Sequence, residues 1–166
     1  MSLEHILQSL QDLPLSQSIR GDNPGTEWFF PIIETCHVLA LTVVFGSIAM
    51  VDLHLVGLTS RGTSTARLIR ETLPWTWTAW LLAAITGSLM FTAKAVAYGE
   101  SFEFRMKFVC MALAAVNMLV FHFGAYRTVA DWDMRKLPPA ARAAGGLSIA
   151  FWIAVIFFGR WVGFTT

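Results

Sequence analysis

The sequence predicts an all-α integral membrane protein, an up-down bundle of four transmembrane helices preceded by an amphipathic helix at the membrane interface. Two observations predict this fold. The mean hydropathy of +0.58 is far above that of a soluble domain, and only 14% of the residues are charged. Four apolar runs each approach the ~20 residues needed to cross ~30 Å of hydrocarbon. Backbone within lipid must satisfy its own hydrogen bonds, so these runs are expected to be helices.

The first element is a predicted N-terminal segment, residues 1–26, that precedes a transmembrane domain of residues 27–166. Apolar residues recur there at the spacing of one helical face: Leu3, Ile6, Leu7, Leu10 and Leu13. This pattern is typical of a short amphipathic helix in the membrane interface, and a lid that packs on the bundle is the alternative. Pro14 and the glycine-rich stretch from Gly21 to Gly25 are expected to end this helix.

The four apolar runs define the predicted transmembrane helices. They extend from about Trp28 to Leu58, from about Trp75 to Tyr98, from about Phe108 to Tyr126 and from about Leu147 to Phe164. Short connections between successive runs predict an up-down-up-down arrangement.

The basic residues predict the orientation of the bundle. Seven lie near the connections between the first and second and between the third and fourth helices: Arg61, Arg67, Arg70, Arg127, Arg135, Lys136 and Arg142. Five fall on the opposite side: Arg20, Lys94, Arg105, Lys107 and Arg160. Because positive charge is retained in the cytoplasm, both termini are expected on the outer side.

Three histidines within the apolar runs, His37, His54 and His122, are the main functional candidates. An ionisable side chain at a helix centre costs about 2.5–3.5 kcal/mol on insertion scales, so its presence indicates a function. Neutral imidazole is a ligand for haem iron. The three residues are therefore candidate ligands of haem b.

The first predicted helix carries most of the polar residues. Glu34 and His37 are three residues apart and share a face, so the carboxylate could fix the tautomer of the imidazole or pass it a proton. Asp52 and His54 lie near the other end. His37 and His54 are separated by about 25 Å along the helix and about 100° around it. That spacing argues against two haems stacked along this helix, and a solvated interfacial His54 is the alternative.

The third predicted helix presents Met111, Ala115, Met118 and His122 on one face. His122 lies in the same leaflet as His54, with a difference in depth of about 6 Å. One bis-histidine haem tolerates that difference if a helix tilts. A hydrogen-bonded structural role for His122 is the alternative.

Two further expectations concern the interior of the bundle. His37 lies across the midplane from His122, so it would need another ligand for a second haem, such as Met90, Met111 or Met118. Asn117 is near the midplane, where a lone amide must find a partner within the bundle.

A third group of polar residues is expected together near the outer surface: Glu34, His37, Lys94, Arg105, Lys107 and Arg160. Snorkelling explains a Lys or Arg near a helix end. Arg160 lies among aromatic residues, and its position there has two explanations. The structural one is an ion pair with Glu34, and the functional one is binding of a haem propionate or a quinone carbonyl. Cys36 and Cys110 could form a disulfide or join His37 around a soft metal ion.

Several of these motifs resemble one family. They are the stretch from Glu34 to Leu41, Phe45 to Ser47, Val51 to Leu55, Phe104 to Lys107, Asn117 to His122, and Gly159 with Arg160. They resemble a family of small bacterial inner-membrane proteins known only as a domain of unknown function, and the resemblance covers most of the chain from Leu13 onward. It implies a four-helix bundle in the bacterial inner membrane and carries no activity. In that membrane, the orientation predicted from the basic residues makes both termini periplasmic.

The family pattern has arginine at the position of His54, so the resemblance leaves His37 and His122 as the family-like pair. More distantly, the histidine-bearing bundle is similar in architecture to b-type cytochromes and to CopD-like copper-resistance membrane proteins. Architectural similarity of this kind does not establish function.

Three functional hypotheses follow. The first is a b-type haem protein that passes electrons between the quinone pool and a periplasmic partner or larger complex, with Arg105, Lys107 and Arg160 holding carboxylates or steering the partner. The second is a cofactor-free accessory subunit of a membrane complex. The third is a small-solute or metal-ion carrier that uses Glu34, His37, Asp52 and Asn117 as a polar path. The expected partners are the lipid bilayer, a redox protein and possible further copies of the chain, with no nucleic acid.

Overall fold

The computed structural model describes residues 3–59, 62–133 and 136–165, and every regular element within them is a helix. Two short helices come first, α1 (Leu3–Gln11) and α2 (Pro14–Arg20). The remaining elements follow in chain order: α3 (Phe29–Val56), α4 (Thr65–Ala93), α5 (Ala95–Glu100), α6 (Phe102–Phe123), a 3-10 helix (Ala125–Thr128), α7 (Val129–Trp132) and α8 (Pro139–Thr165).

Four of these helices, α3, α4, α6 and α8, are long and apolar enough to cross a membrane. The prediction of an all-helical, multi-pass membrane protein is confirmed at this level. Most of their large apolar side chains are exposed, including Val38, Leu81, Val120 and Ile153. Such surfaces are stable against lipid and would be costly in water.

Three of the long helices, α4, α6 and α8, begin before the apolar runs that predicted them. α4 begins at Thr65 rather than near Trp75, because the Ser64 hydroxyl caps it by accepting a hydrogen bond from the Arg67 amide (3.2 Å). α6 begins at Phe102 rather than near Phe108, because Ser101 caps it in the same way. Hydropathy marks the part of a helix suited to lipid, whereas capping residues mark where the helix begins.

The four long helices pack in the spatial order α4, α3, α8, α6. α3 contacts both α4 and α8, and α6 packs on α8, whereas α4 and α6 make little contact within the described residues. The α3–α8 contact is close at Gly145, where a Cβ would lie 2.9 Å from the Asp52 carbonyl oxygen and 2.9 Å from Leu55 Cβ. A gap between α4 and α6 follows from this order.

An apolar cluster closes the end of the bundle where α3 ends and α4 begins. Its buried members are Leu55, Ile69, Phe121, Trp132, Ala141 and Ala144. Next to this cluster, the Asp133 carboxylate accepts hydrogen bonds from the Thr65 amide (2.7 Å) and the Ser64 hydroxyl (2.6 Å). The connection after α6 is therefore attached to the first turn of α4.

The N-terminal helices pack at the opposite end, over the junction of α4 and α5. α1 ends at Gln11, before Pro14, and Pro14 begins a separate helix, α2, because proline fits the first turn of a helix. The Arg20 guanidinium donates to the carbonyl oxygens of Gln11 (3.0 Å) and Ala93 (3.2 Å). The Val96 amide donates to the Gln11 side chain (3.2 Å). These bonds attach α1 and α2 to the bundle, as the lid interpretation expects.

Candidate functional site: a cavity between the four long helices

A cavity of about 500 Å³ lies between α3, α4, α6 and α8. Its volume is within the range of about 300–1,000 Å³ that is typical of small-molecule sites. Most of the lining is apolar or aromatic, and it includes Trp77, Trp80, Phe108, Phe121 and Trp152. A few polar side chains also line it, among them Ser47, Asp52, Thr76, Asn117, His122 and Ser148. An apolar cavity with a few convergent polar groups is the arrangement expected of a ligand site.

Asp52 has the most unusual environment of the polar lining residues. Its side chain comes from α3 and is only 6% exposed. Ser148 of α8 approaches the carboxyl group, but Oδ2 is buried without a hydrogen-bond partner in the described part of the chain. A buried polar atom without a partner costs about 1–3 kcal/mol, more when it is charged. A hydrogen-bond donor in the cavity would relieve that cost.

One of the two ring nitrogens of His122, Nε2, makes no hydrogen bond within the described residues. Its Nδ1 lies 3.0 Å from the carbonyl oxygen of Met118. A carbonyl only accepts, so Nδ1 carries the hydrogen and Nε2 keeps its lone pair. The ring centroid is 5.6 Å from that of Phe121 and 5.2 Å from that of Tyr126. Histidines that ligate a metal commonly have this arrangement, in which a backbone carbonyl fixes the tautomer.

Asn117 has the partner that its position in the membrane requires. Its amide nitrogen donates to the Ala144 carbonyl oxygen of α8 (2.9 Å), which ties α6 to α8 beside the cavity. The expectation of an amide partner within the bundle is confirmed.

His54 lies outside the cavity lining, in the last turn of α3. It is only 6% exposed, so the alternative of a solvated interfacial residue is wrong. Its Nε2 is 3.2 Å from the Thr65 hydroxyl, and its Nδ1 is 3.5 Å from the Thr59 hydroxyl. With both nitrogens engaged, this imidazole links two helices and offers no free lone pair to a metal ion.

His37 also lies outside the cavity lining, towards the other end of α3. The Thr86 hydroxyl donates its only hydrogen to the Leu82 carbonyl (2.7 Å), so it accepts from His37 Nδ1 at 3.0 Å. The ring packs against Gly87, where a Cβ would lie 2.9 Å from His37 Cε1. Glu34 is exposed and makes no hydrogen bond to His37 in the described structure, so the predicted pairing of these two residues is absent there.

Two cations of the predicted outer-surface group, Arg105 and Arg160, have different partners. The Arg105 guanidinium donates to the carbonyl oxygens of Glu100 (3.2 Å) and Ser101 (3.4 Å). Arg160 lies over the ring of Phe164, with Cζ 4.8 Å from the centroid, so the expectation of an ion pair with Glu34 is wrong within the described residues.

Neither a disulfide nor a metal site involving the cysteines is present among the described residues. Cys36 and Cys110 are free thiols, so the proposed disulfide is absent. Among residues 3–59, 62–133 and 136–165, no group of three or more His, Cys, Asp or Glu side chains could hold a metal ion.

Sequence reasoning missed Ser148 and the pair formed by Ser47 and Thr76. The hydroxyls of Ser47 and Thr76 lie 2.8 Å apart and join α3 to α4 at the cavity wall. Small hydroxyl residues inside an apolar run could have indicated these contacts in the sequence, because their hydroxyls need partners within the bundle.

Comparisons of this chain with protein-family models, with curated proteins and with solved structures find no match. The resemblance to small bacterial inner-membrane proteins therefore stays a prediction. The geometry of the cavity carries the functional conclusion.

Proposed function

We propose that this protein is a membrane electron-transfer protein whose cavity binds the head group of a quinol. One observation carries the proposal: Asp52 and His122, each with a hydrogen-bond acceptor that has no partner among the described residues, line the same apolar cavity. A hydroquinone ring carries two hydroxyl donors on a flat aromatic body. The aromatic side chains of Trp77, Trp80 and Phe121 suit such a ring.

The chemistry follows from the two acceptors. Asp52 would accept one hydroxyl hydrogen and His122 Nε2 the other. When the quinol gives two electrons to the metal centre of a redox partner protein, its two protons pass to these two groups and a quinone remains. The gap between α4 and α6 supports entry of the hydrophobic tail from the surrounding lipid, because those two helices make little contact.

Haem b is the second candidate, favoured by the fixed tautomer of His122, whose Nε2 could hold the haem iron. The haem would supply one-electron transfer. The residues present do not fit a bis-histidine site, since neither His37 nor His54 lines the cavity. Met111 and Met118 line it and belong to the same helix as His122. Asp52 also suits a hydroxyl donor better than a porphyrin ring.

The membrane arrangement belongs to the same proposal. The chain would cross the bacterial inner membrane as an up-down bundle, with periplasmic termini and with α1 in the outer interface. The exposed apolar side chains of Leu3 and Ile6 support contact of α1 with lipid. The bias of basic residues supports the orientation, although Arg61 and Arg135 lie outside the described residues.

A titration with a short-tailed benzoquinol tests the proposal. The purified protein in mild detergent should show saturable quenching of tryptophan fluorescence, since Trp77, Trp80 and Trp152 line the cavity. Asp52→Asn and His122→Leu should each weaken binding by about 5- to 150-fold, which corresponds to about 1–3 kcal/mol for one hydrogen bond at a buried site.

The control for this titration is Arg160→Gln, whose exposed side chain lies outside the cavity lining and should leave the affinity unchanged. Unchanged affinity in both cavity variants would refute the quinol site. An absorption spectrum with a Soret band that sharpens on reduction, and that His122→Ala abolishes, would establish haem instead. A colourless protein without quinol binding would leave the accessory-subunit and carrier hypotheses.

A further inference from the structure

The lining of the cavity contains two titratable side chains among the described residues, Asp52 of α3 and His122 of α6. The residues that α4 and α8 contribute to the lining are all neutral. Two further titratable groups lie close by but outside the lining. Both nitrogens of His54 lie near threonine hydroxyls, and the ring centroid of Tyr126 is 5.2 Å from that of His122.

The neutral polar groups of the lining are engaged within the protein. The Thr72 hydroxyl donates to a carbonyl oxygen of α4 (2.7 Å), and the Asn117 amide donates to one of α8 (2.9 Å). The hydroxyls of Ser47 and Thr76 lie 2.8 Å apart and bond each other. Such groups have the same hydrogen-bonding character at every pH, so any change with pH in the lining comes from the two titratable side chains.

Protonation would give each titratable side chain a donor at an atom that lacks a partner in the described part of the chain. Asp52 Oδ2 is that atom in the carboxyl group. In His122, the Nδ1 hydrogen is directed to the Met118 carbonyl oxygen (3.0 Å), so an added proton binds at Nε2. Both groups therefore accept when deprotonated and donate when protonated.

The two redox forms of a quinol differ in what they can bind. A hydroquinone hydroxyl both donates and accepts, as any hydroxyl does, whereas a quinone carbonyl oxygen only accepts. Deprotonated Asp52 and His122 would hold the hydroquinone and leave the quinone carbonyls facing two acceptors. The protonated pair would hold either form.

We propose that the protonation states of Asp52 and His122 decide which redox form of the quinol the cavity retains. Oxidation breaks two O–H bonds, and one proton goes to each side chain while two electrons leave for the metal centre of the partner protein. The two new donors then hold the quinone until those protons depart. This inference rests on the proposed quinol site and adds a condition for product release.

The experiment measures the affinity for both redox forms of tetramethyl-1,4-benzoquinone, whose fully substituted ring does not add thiols. Tryptophan quenching is recorded without oxygen in mild detergent at about pH 5 and about pH 9, a range that spans the ordinary titration of histidine. At the higher pH, the wild-type chain should prefer the hydroquinone by about tenfold or more, the typical effect of a lost buried hydrogen bond. At the lower pH, the two forms should bind with similar affinity.

Asp52→Asn gives the sharpest comparison, because an amide has an N–H donor at every pH. At about pH 9 this variant should bind the quinone more tightly than the wild type and the hydroquinone more weakly, so one substitution acts in opposite directions on the two forms. Asp131→Asn removes an exposed carboxylate of α7 and is the control. It should keep the wild-type dependence on pH.

The outcomes distinguish this inference from the quinol site itself. Binding of neither form at either pH refutes both. Binding of both forms with a ratio of affinities that is independent of pH overturns the inference and leaves the quinol site in place. If Asp52→Asn fails to fold, His122→Leu decides: its ratio should change less with pH than that of the wild type, and an equal change overturns the inference.

Discussion

At the scale of single residues, the three intramembrane histidines differ in what their second nitrogen contacts. Both nitrogens of His54 lie near threonine hydroxyls, whereas His122 makes its hydrogen bond within the described residues through Nδ1. A free Nε2 is what allows an imidazole to accept a proton, bind a hydroxyl or ligate iron. His122 therefore has the chemistry for a role in the cavity, and His54 has a structural role at the start of α4.

The histidine positions were evident in the sequence, but their tautomers were not. The assignment for His37 depends on a hydroxyl in α4, and the assignment for His122 depends on a carbonyl one turn earlier in α6. The sequence could suggest the second contact from helical spacing. It could not reveal the first, because that contact joins residues far apart in the chain.

Asp133 gives a prediction about stability and pH. Burial alone would raise the pKa of this carboxyl group, but hydrogen bonds from Ser64, Thr65 and Ala66 outweigh burial and hold the pKa below its ordinary value of 3.8. A lowered pKa means that the folded state favours the carboxylate. The resulting stabilisation is complete above the unfolded-state pKa and is lost as the pH falls through the lower, folded-state value.

We therefore expect Asp133→Asn to lower the free energy of unfolding by about 1 kcal/mol at pH 7, the typical value of a helix cap. The difference from wild type should shrink as the pH falls below 3.8. Thermal unfolding in detergent across this pH range measures both effects. Asp131→Asn, in an exposed position of α7, is the control, and an equal effect of the two substitutions would contradict the capping role.

At the scale of helices, the contact between α3 and α8 depends on one of two adjacent glycines. A Cβ at Gly145 would lie 2.9 Å from the Asp52 carbonyl oxygen, whereas a Cβ at Gly146 would meet no atom within 4 Å. The same contact brings Ser148 towards the Asp52 carboxyl group at the cavity. The α3–α8 contact thus affects both stability and the site.

We expect opposite effects from the same substitution at these two positions. Gly145→Ala should destabilise the protein by about 1–3 kcal/mol, because overpacking forces two helices apart. Gly146→Ala should stabilise it by about 0.5–1 kcal/mol, because alanine loses less backbone entropy in a helix. Unfolding in a denaturing detergent provides the comparison, and equal stability of the two variants would refute the predicted helix contact.

The helices also show what hydropathy predicts well and what it misses. The four transmembrane helices were predicted because long apolar runs have few other stable conformations in a membrane. The extra turns of α4, α6 and α8 were missed, because polar caps such as Ser64 and Ser101 act through local hydrogen bonds. A search of the sequence for capping residues would have identified Ser64 and Ser101, and with them the starts of α4 and α6.

At the scale of the whole molecule, the spatial order α4, α3, α8, α6 leaves a gap next to the cavity. Two adjacent residues of α6 differ in relation to it: Ala115 lines the cavity, and Val116 is exposed outside the lining. Enlarging Ala115 would fill the cavity, whereas enlarging Val116 would extend the apolar surface.

Ala115→Phe should therefore abolish quinol binding in the fluorescence titration, because its ring would occupy the space of the head group. Val116→Phe should bind quinol as the wild type does. Both variants should unfold at similar temperatures, since both residues are exposed to the cavity or to the apolar surroundings rather than packed in the core. Quinol binding by Ala115→Phe would show that the ligand lies elsewhere.

The sequence by itself determined that the chain is helical and suited to cross a membrane four times, because hydropathy and the need for internal backbone hydrogen bonds act over local stretches. It also identified the intramembrane polar residues, because ionisable groups are rare at such positions. The tertiary structure decided which of them meet. Asp52 and His122 line one cavity, the His37 ring packs against Gly87, and His54 is buried near two threonine hydroxyls. These outcomes depend on helix order and on close contacts at glycines such as Gly145, which join residues distant in the chain and leave no local pattern.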